Sequence, residues 1–183
     1  IVKNVSTNQE KKNDKATFEI VGNDGIPLTL NSINTDNPII SQLIKQNDVA
    51  FNDIPEIAEG GCNFRVVQAY CEMLAGKALT TDQIKQLWKA TAGTSIMDSD
   101  GYVRDPDGLA DKTLSALGRT DFGLTFGGDW RKNGTLIGYR IGMPYKSEYH
   151  YALGDIYKSL VFNPGSTNTT ADNWRNVYVY PKK

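Results

Sequence analysis

Two cysteines and one histidine are the scarcest reactive side chains in this chain. His150 is the lone imidazole, so any thiol–imidazole pair must be built on it, and Cys62 is the cysteine placed to join it. Cys62 follows Gly60-Gly61 and stands at the first turn of a helix predicted to run to Gly76. Unpaired amides and the positive end of the helix dipole gather there, and both favour a thiolate over a thiol. Imidazole is matched in pKa to take a thiol proton near neutrality. An Asn oxygen can accept the other ring N–H and fix the tautomer, and Asn163 is of the right type. Such a set performs nucleophilic acyl chemistry: sulfur attacks a carbonyl, imidazole protonates the leaving group, and water releases the acyl product. Each residue also has an ordinary structural use. Free cysteine is usually buried and inert, a strand can carry a structural histidine, and Asn before Pro164 marks a turn. The combination is what points to catalysis.

The elements that must position these residues can be read around them. Val66, Tyr70, Met73 and Leu74 recur at helical spacing, which predicts one buried apolar face on the Cys62 helix, and Gly76 ends it. Cys71 lies nine residues further along the same helix, about 180° round and about 13.5 Å along the axis. Disulfide Cα atoms lie within about 7 Å, so both cysteines are expected free, as in a reducing compartment. Two opposed cysteines and one histidine cannot supply the four ligands of a structural zinc site.

His150 falls on a predicted strand, Tyr149 to Leu153, followed by Gly154-Asp155-Ile156-Tyr157 and a second strand, Ser159 to Phe162. A tight hairpin centred between Ile156 and Tyr157 pairs Leu153 with Leu160, Ala152 with Val161, Tyr151 with Phe162, and His150 with Asn163. Opposed residues share a face. Tyr151, Leu153, Leu160 and Phe162 therefore make one apolar face, and His150, Ala152, Val161 and Asn163 make the other.

Elsewhere, Val5 to Lys15 is polar and reads as an arm or loop. Thr17 to Val21 and Ile26 to Leu30 flank Asn23-Asp24-Gly25 as a hairpin. Asn37-Pro38 opens a short helix through Ile44, and Asn47 to Gly61 reads as a loop. Thr80 with Gln83 forms a capping box for a helix bearing Ile84, Leu87 and Trp88. Asp105-Pro106 starts a third helix whose inner stripe is Leu109, Ala110, Thr113, Leu114 and Leu117, with Gly118 beyond its end. Asp98-Ser99-Asp100-Gly101 has the start of a calcium loop without its later ligands, and reads as a turn. Strands follow over Asp121 to Phe126, Thr135 to Ile141, Tyr149 to Leu153, Ser159 to Phe162 and Val177 to Tyr180, with short connections. The predicted class is α+β, a helical front packed on an antiparallel sheet.

At 183 residues the chain is long enough for one domain with a real core. A net charge of −1 without a basic cluster argues against nucleic-acid binding. No apolar run approaches the ~20 residues of a membrane span. Ile1 opens the chain without Met, which reads as a fragment or processed product. Trp88, Trp130 and Trp174 are expected in core or rim packing rather than lining a groove.

Gly60-Gly61-Cys62 opening a long helix, Tyr149-His150-Tyr151-Ala152-Leu153-Gly154-Asp155 on a strand, and Val161-Phe162-Asn163-Pro164-Gly165 on the next resemble the papain-like cysteine peptidase superfamily, particularly its small bacterial members. The order of cysteine, histidine, then Asn or Asp is theirs, and the likeness covers roughly residues 50 to 165. It implies a nucleophile at Cys62, a base at His150 and an orienting residue at Asn163. It also implies that 51–183 is the catalytic domain and 1–50 an arm, hairpin and short helix joined to it in one compact unit. Many members place an oxyanion-binding Gln about six residues before the cysteine. Glu56 stands there in this chain, and a carboxylate cannot donate a hydrogen bond. The backbone N–H of Cys62 would then serve, with Asn52 or Asn63 as a second donor by residue type.

The expected function is a cysteine hydrolase acting on an amide, of peptide type, with a peptide or protein substrate and no cofactor. A bacterial cytoplasmic enzyme, or an effector or toxin domain delivered elsewhere, fits the likeness. An amidase, deamidase or transglutaminase would share the nucleophile, and a binding module could keep the fold without the chemistry. A thiol-directed electrophile separates the last from the rest. Preferential labelling of Cys62 over Cys71, read by peptide mass, is the outcome expected of an enzyme.

Overall fold

The computed structural model describes residues 15–127 and 134–182, so Trp130 and all of the N-terminal arm except Lys15 lie outside it. The chain enters through a hairpin of β1 (Thr17–Val21) and β2 (Pro27–Asn31), with Ile20 opposite Leu28. Gly25 takes φ +80° at the turn, where a side chain would be strained. Ile20 and Leu30 are the inward positions.

The segment from Asn37 to Ile44 holds only a 3-10 turn, Ile40–Gln42, in place of the expected helix. Asn37 does not cap it: the cap residue is Ile39, without a side-chain cap bond, and Asn37 accepts from the Ile39 N–H while its amide donates to the carbonyls of Ser32 and Met73 at 2.8 and 3.2 Å. The residue pins the segment to other elements, and so short a run cannot offset the cost of helix nucleation. The expected loop from Asn47 to Gly61 instead contains a 3-10 turn, Val49–Phe51, and a helix α1, Pro55–Gly60. Only Ile57 of α1 is buried, so it shows no apolar stripe that periodicity could detect.

Helix α2 spans Cys62–Ala75 and ends at Gly76, φ +69°. Its expected apolar face is buried, and so is the opposite one: every residue from Asn63 to Leu74 is inaccessible or nearly so. Arg65, Gln68 and Glu72 form that second face. Arg65 donates through Nη1 to Gln68 Oε1 at 2.7 Å and to Glu72 Oε1 at 3.0 Å. Its Nε donates to the Ile44 carbonyl, and Glu72 Oε2 accepts from the Leu79 N–H. The two glycines before α2 are there for space rather than torsion. Gly61 has φ −88°, but a Cβ on it would strike the Ile57 carbonyl, and one on Gly60 the Asp100 carbonyl.

Helix α3 (Thr81–Thr91) carries the capping box as expected, and Trp88 packs edge-on against Phe64 with ring centroids 5.0 Å apart. Helix α4 (Pro106–Ala116) is capped by Asp105. Between them Asp98 is paired with Arg104, and Asp100 accepts from the Tyr102 N–H, which makes this stretch a turn.

The second half is a five-stranded antiparallel sheet of β3 (Phe122–Phe126), β4 (Thr135–Tyr145), β5 (Glu148–Gly154), β6 (Leu160–Phe162) and β7 (Asn173–Pro181), in the order β3-β7-β4-β5-β6. The last strand inserts between β3 and β4. Helix α2 lies against β5, and α4 against β3. The molecule is α+β, and one apolar cluster joins Ile20 and Leu30 of the hairpin to α2, α4 and the sheet.

One register differs from expectation. Leu153 pairs with Phe162 rather than Leu160, and a bulge then brings Gly154 opposite Leu160. A displacement by two residues keeps Leu153 and Phe162 on one buried face, but the bulge moves Leu160 by one, and it is exposed instead of joining that face. Arg65→Met should lower stability by about 3–5 kcal/mol in urea unfolding, because it strands the Glu72 carboxylate in the core. The double variant Arg65→Met/Glu72→Met is expected to recover much of that loss.

Candidate active site

Strand β6 pairs only with Leu153 and Gly154, so the backbone of Tyr149 to Tyr151 has no strand beside it there. The start of α2 occupies that position. Cys62 Sγ lies 3.9 Å from the Tyr149 carbonyl oxygen, with its S–H directed at it. The backbone N–H of Tyr151 also bonds to the sulfur. The Cys62 side chain thus sits against the residues on either side of His150, half-buried and unpaired. Burial is the main influence on its thiol and pushes the pKa up, and the Glu148 charge adds to this. The N–H groups of Tyr151, Asn63 and Cys62 itself act the other way, as a helix start should. Cys71 is buried, free and directed at the Ala110 carbonyl, and burial pushes its pKa far up.

His150 is buried at the cross-strand position opposite Met143. Its Nε2 is 2.7 Å from Asn163 Oδ1. The Asn163 amide is oriented independently of the ring: Nδ2 donates to the Thr167 carbonyl at 2.7 Å, and Oδ1 accepts from the Gly165 N–H at 3.1 Å. Oδ1 can therefore only accept from His150, so the proton sits on Nε2 and the neutral ring presents its lone pair at Nδ1. No hydrogen bond engages Nδ1 among the described residues. Burial lowers the His150 pKa from 6.5, and the bond to Asn163 partly opposes this. Both shifts favour the neutral thiol and the neutral imidazole.

The two side-chain donors expected from residue type fare differently. Asn52 is exposed at the end of its 3-10 turn, and no hydrogen bond among the described residues ties it to Cys62 or His150. Asn63 is buried next to Cys62, but its Oδ1 accepts from Arg140 Nη1 at 3.1 Å. Glu56 is exposed on α1 and, with Glu59, Gly60, Asp100 and Glu148, lines an open acidic cleft.

Two further residues belong to this region. Gln46 is buried; its N–H donates to the Pro164 carbonyl and its Nε2 to the Ala58 carbonyl on α1. Its Oε1 has no partner. His150 Cε1 and Gln46 Oε1 would lie 3.0 and 3.2 Å from a Cβ on Gly165, so the two side chains flank the same point. Arg140, on β4, is buried behind Asn63 with its guanidinium 4.7 Å from the Tyr151 ring centroid. Neither residue sits in a motif or an apolar pattern, and only long-range contacts bring them here. Trp88 is core, while Trp174 is partly exposed beside Lys158.

Compared with known proteins, the chain matches no family model, no curated protein and no solved structure.

A pH dependence follows from the buried imidazole. With its folded pKa below 6.5, the unfolded state binds the extra proton as pH falls through that value, and stability drops. Wild type should therefore lose more stability between pH 7.5 and pH 5 than His150→Gln does, measured by urea unfolding at both pH values. Equal losses would show that His150 is not held neutral.

Proposed function

We propose that this chain is a papain-like cysteine hydrolase that cleaves amide bonds in peptides through a thioester. The observation that carries the reading is the wiring of Asn163. Its amide is fixed by backbone groups and holds His150 with Nε2 protonated and Nδ1 unengaged, while the Cys62 sulfur lies against the backbone flanking that histidine.

The chemistry follows from these roles. His150 Nδ1 takes the Sγ proton as sulfur attacks the substrate carbonyl carbon. The C–N bond breaks as the same nitrogen protonates the departing amine. Water, deprotonated by Nδ1, then hydrolyses the thioester and frees Sγ. The oxyanion needs donors, and the Cys62 N–H at the start of α2 is one. Asn63, whose oxygen accepts from Arg140 while no hydrogen bond among the described residues engages its Nδ2, is a better second donor than exposed Asn52; Gln46 turns an acceptor oxygen towards His150 and already donates through Nε2 to the Ala58 carbonyl.

On a fluorogenic peptide panel, Cys62→Ala should abolish turnover, and His150→Ala should cost on the order of 10⁴-fold or more, since the pair acts as a unit. Asn163→Ala should cost less, because Asn163 carries no proton, and Asn163→Asp should retain activity. Asn63→Ala should lower kcat by about 10²-fold, with Asn52→Ala unchanged. Equal function in wild type, Cys62→Ala and His150→Ala would instead indicate a binding module.

A further inference from the structure

Arg140 is a buried cation without a counter-ion. It is 7% exposed, and no carboxylate pairs with it among the described residues. Its one hydrogen bond runs from Nη1 to Asn63 Oδ1, and its Nε–H has no acceptor. Burying a guanidinium unpaired costs several kcal/mol in effective terms, and a Met or Leu on β4 would fill the space without that cost. A charge held under these conditions makes its surroundings a candidate functional site.

Its neighbours show what it serves. Asn63 follows Cys62 in the first turn of α2. Tyr151, whose ring the guanidinium covers, turns its backbone N–H to the Cys62 sulfur. Arg140 thus touches both walls that hold the thiol, one on the helix and one on the His150 strand. The opposite charge lies in the cleft of Glu148, Glu56, Glu59 and Asp100, of which Glu148 acts against a Cys62 thiolate. Arg175 of β7 and the phenols of Tyr70 and Tyr151 are the other titratable groups acting on Arg140. Burial pushes the guanidinium pKa down, and Cys62 is among the groups that oppose this.

We propose that Arg140 is a positioning residue for the hydrolytic reaction: it keys the first turn of α2 to the His150 strand through Asn63 and Tyr151, and its charge is the standing counter-charge of the Cys62 thiolate. The step it assists is transfer of the Sγ proton to His150 Nδ1, and no bond to Arg140 forms or breaks. The proposal rests on the cysteine-hydrolase reading above. It implies that the Cys62 thiol, already pushed up by burial, would lie higher still without Arg140.

The test is the rate of Cys62 alkylation by iodoacetamide, a neutral reagent, followed by mass spectrometry of the whole chain from pH 5 to pH 10. Arg140→Lys keeps the charge, Arg140→Gln keeps a donor towards Asn63 without the charge, and Arg140→Met keeps neither. If charge is what matters, Lys should hold the wild-type inflection, and Gln and Met should raise it by about one pH unit, roughly tenfold slower labelling near neutrality. Arg140→Gln removes an unpaired buried charge, so its thermal midpoint should equal or exceed that of wild type. An inflection in Arg140→Gln indistinguishable from wild type would overturn the proposal, whether or not Met differs. The parent reading fails separately, if wild-type Cys62 is not labelled ahead of Cys71 or if His150→Gln leaves the profile unmoved.

Discussion

Arg65 and Glu72 face each other inside the molecule, with neither side chain exposed to solvent, and the placement of the site depends on that pair. Either charge alone would be prohibitive there, so each commits the other to its position. Their remaining groups reach outward to backbone: Arg65 Nε to the Ile44 carbonyl, Glu72 Oε2 to the Leu79 N–H. One ion pair thus fastens the chain before α2 and the chain after it to the same helix. Gln46 comes two residues after the first anchor, and its N–H continues to the Pro164 carbonyl beside Asn163. Cys62 begins the helix so held.

Hydrophobic residues would have packed this interior at less desolvation cost, but they would not have specified where two irregular segments must run. The segment from Ser32 to Gln46 has little secondary structure of its own. It is ordered by polar side chains meeting backbone groups: Asn37 to Ser32 and Met73, Arg65 to Ile44, Gln46 to Ala58. Buried backbone groups outside helices and strands need such partners, and here those partners also set the wall of the site.

At the site, two kinds of electrostatic control meet. The His150–Asn163 pair is governed by hydrogen-bond direction, since the Gly165 N–H and Thr167 carbonyl orient the amide and the amide then chooses the tautomer. Cys62 is governed by competing influences: backbone N–H groups on one side, burial and the Glu148 charge on the other. Desolvation strengthens both kinds, because a low local dielectric enlarges every nearby dipole and charge.

Local pattern settled much by itself. The capping box at Thr80 and Gln83, the Asp105 cap, the glycine after Ala75 and the strands of the second half all follow from short-range stereochemistry, although β4 runs past Ile141 to Tyr145 and β7 begins at Asn173, before Val177. The sorting of the β5 and β6 side chains into two faces was legible in part: Leu153 and Phe162 share a buried face because period-two alternation survives a displacement by two, while the bulge turns Leu160 out of it. Three things were not. Helix α1 buries a single side chain, so its periodicity is silent. The polar face of α2 reads as solvent-facing, because pattern cannot tell water from a buried partner such as Arg65 to Glu72. The β5–β6 pairing shifted because a bulge, not the turn residues alone, set the loop length. The scarcity of cysteine and histidine named Cys62 and His150 from sequence, with Asn163 beside them. Gln46 and Arg140 could emerge only from tertiary structure, since each is joined to the site by contacts across many residues, and no local rule carries information over that distance.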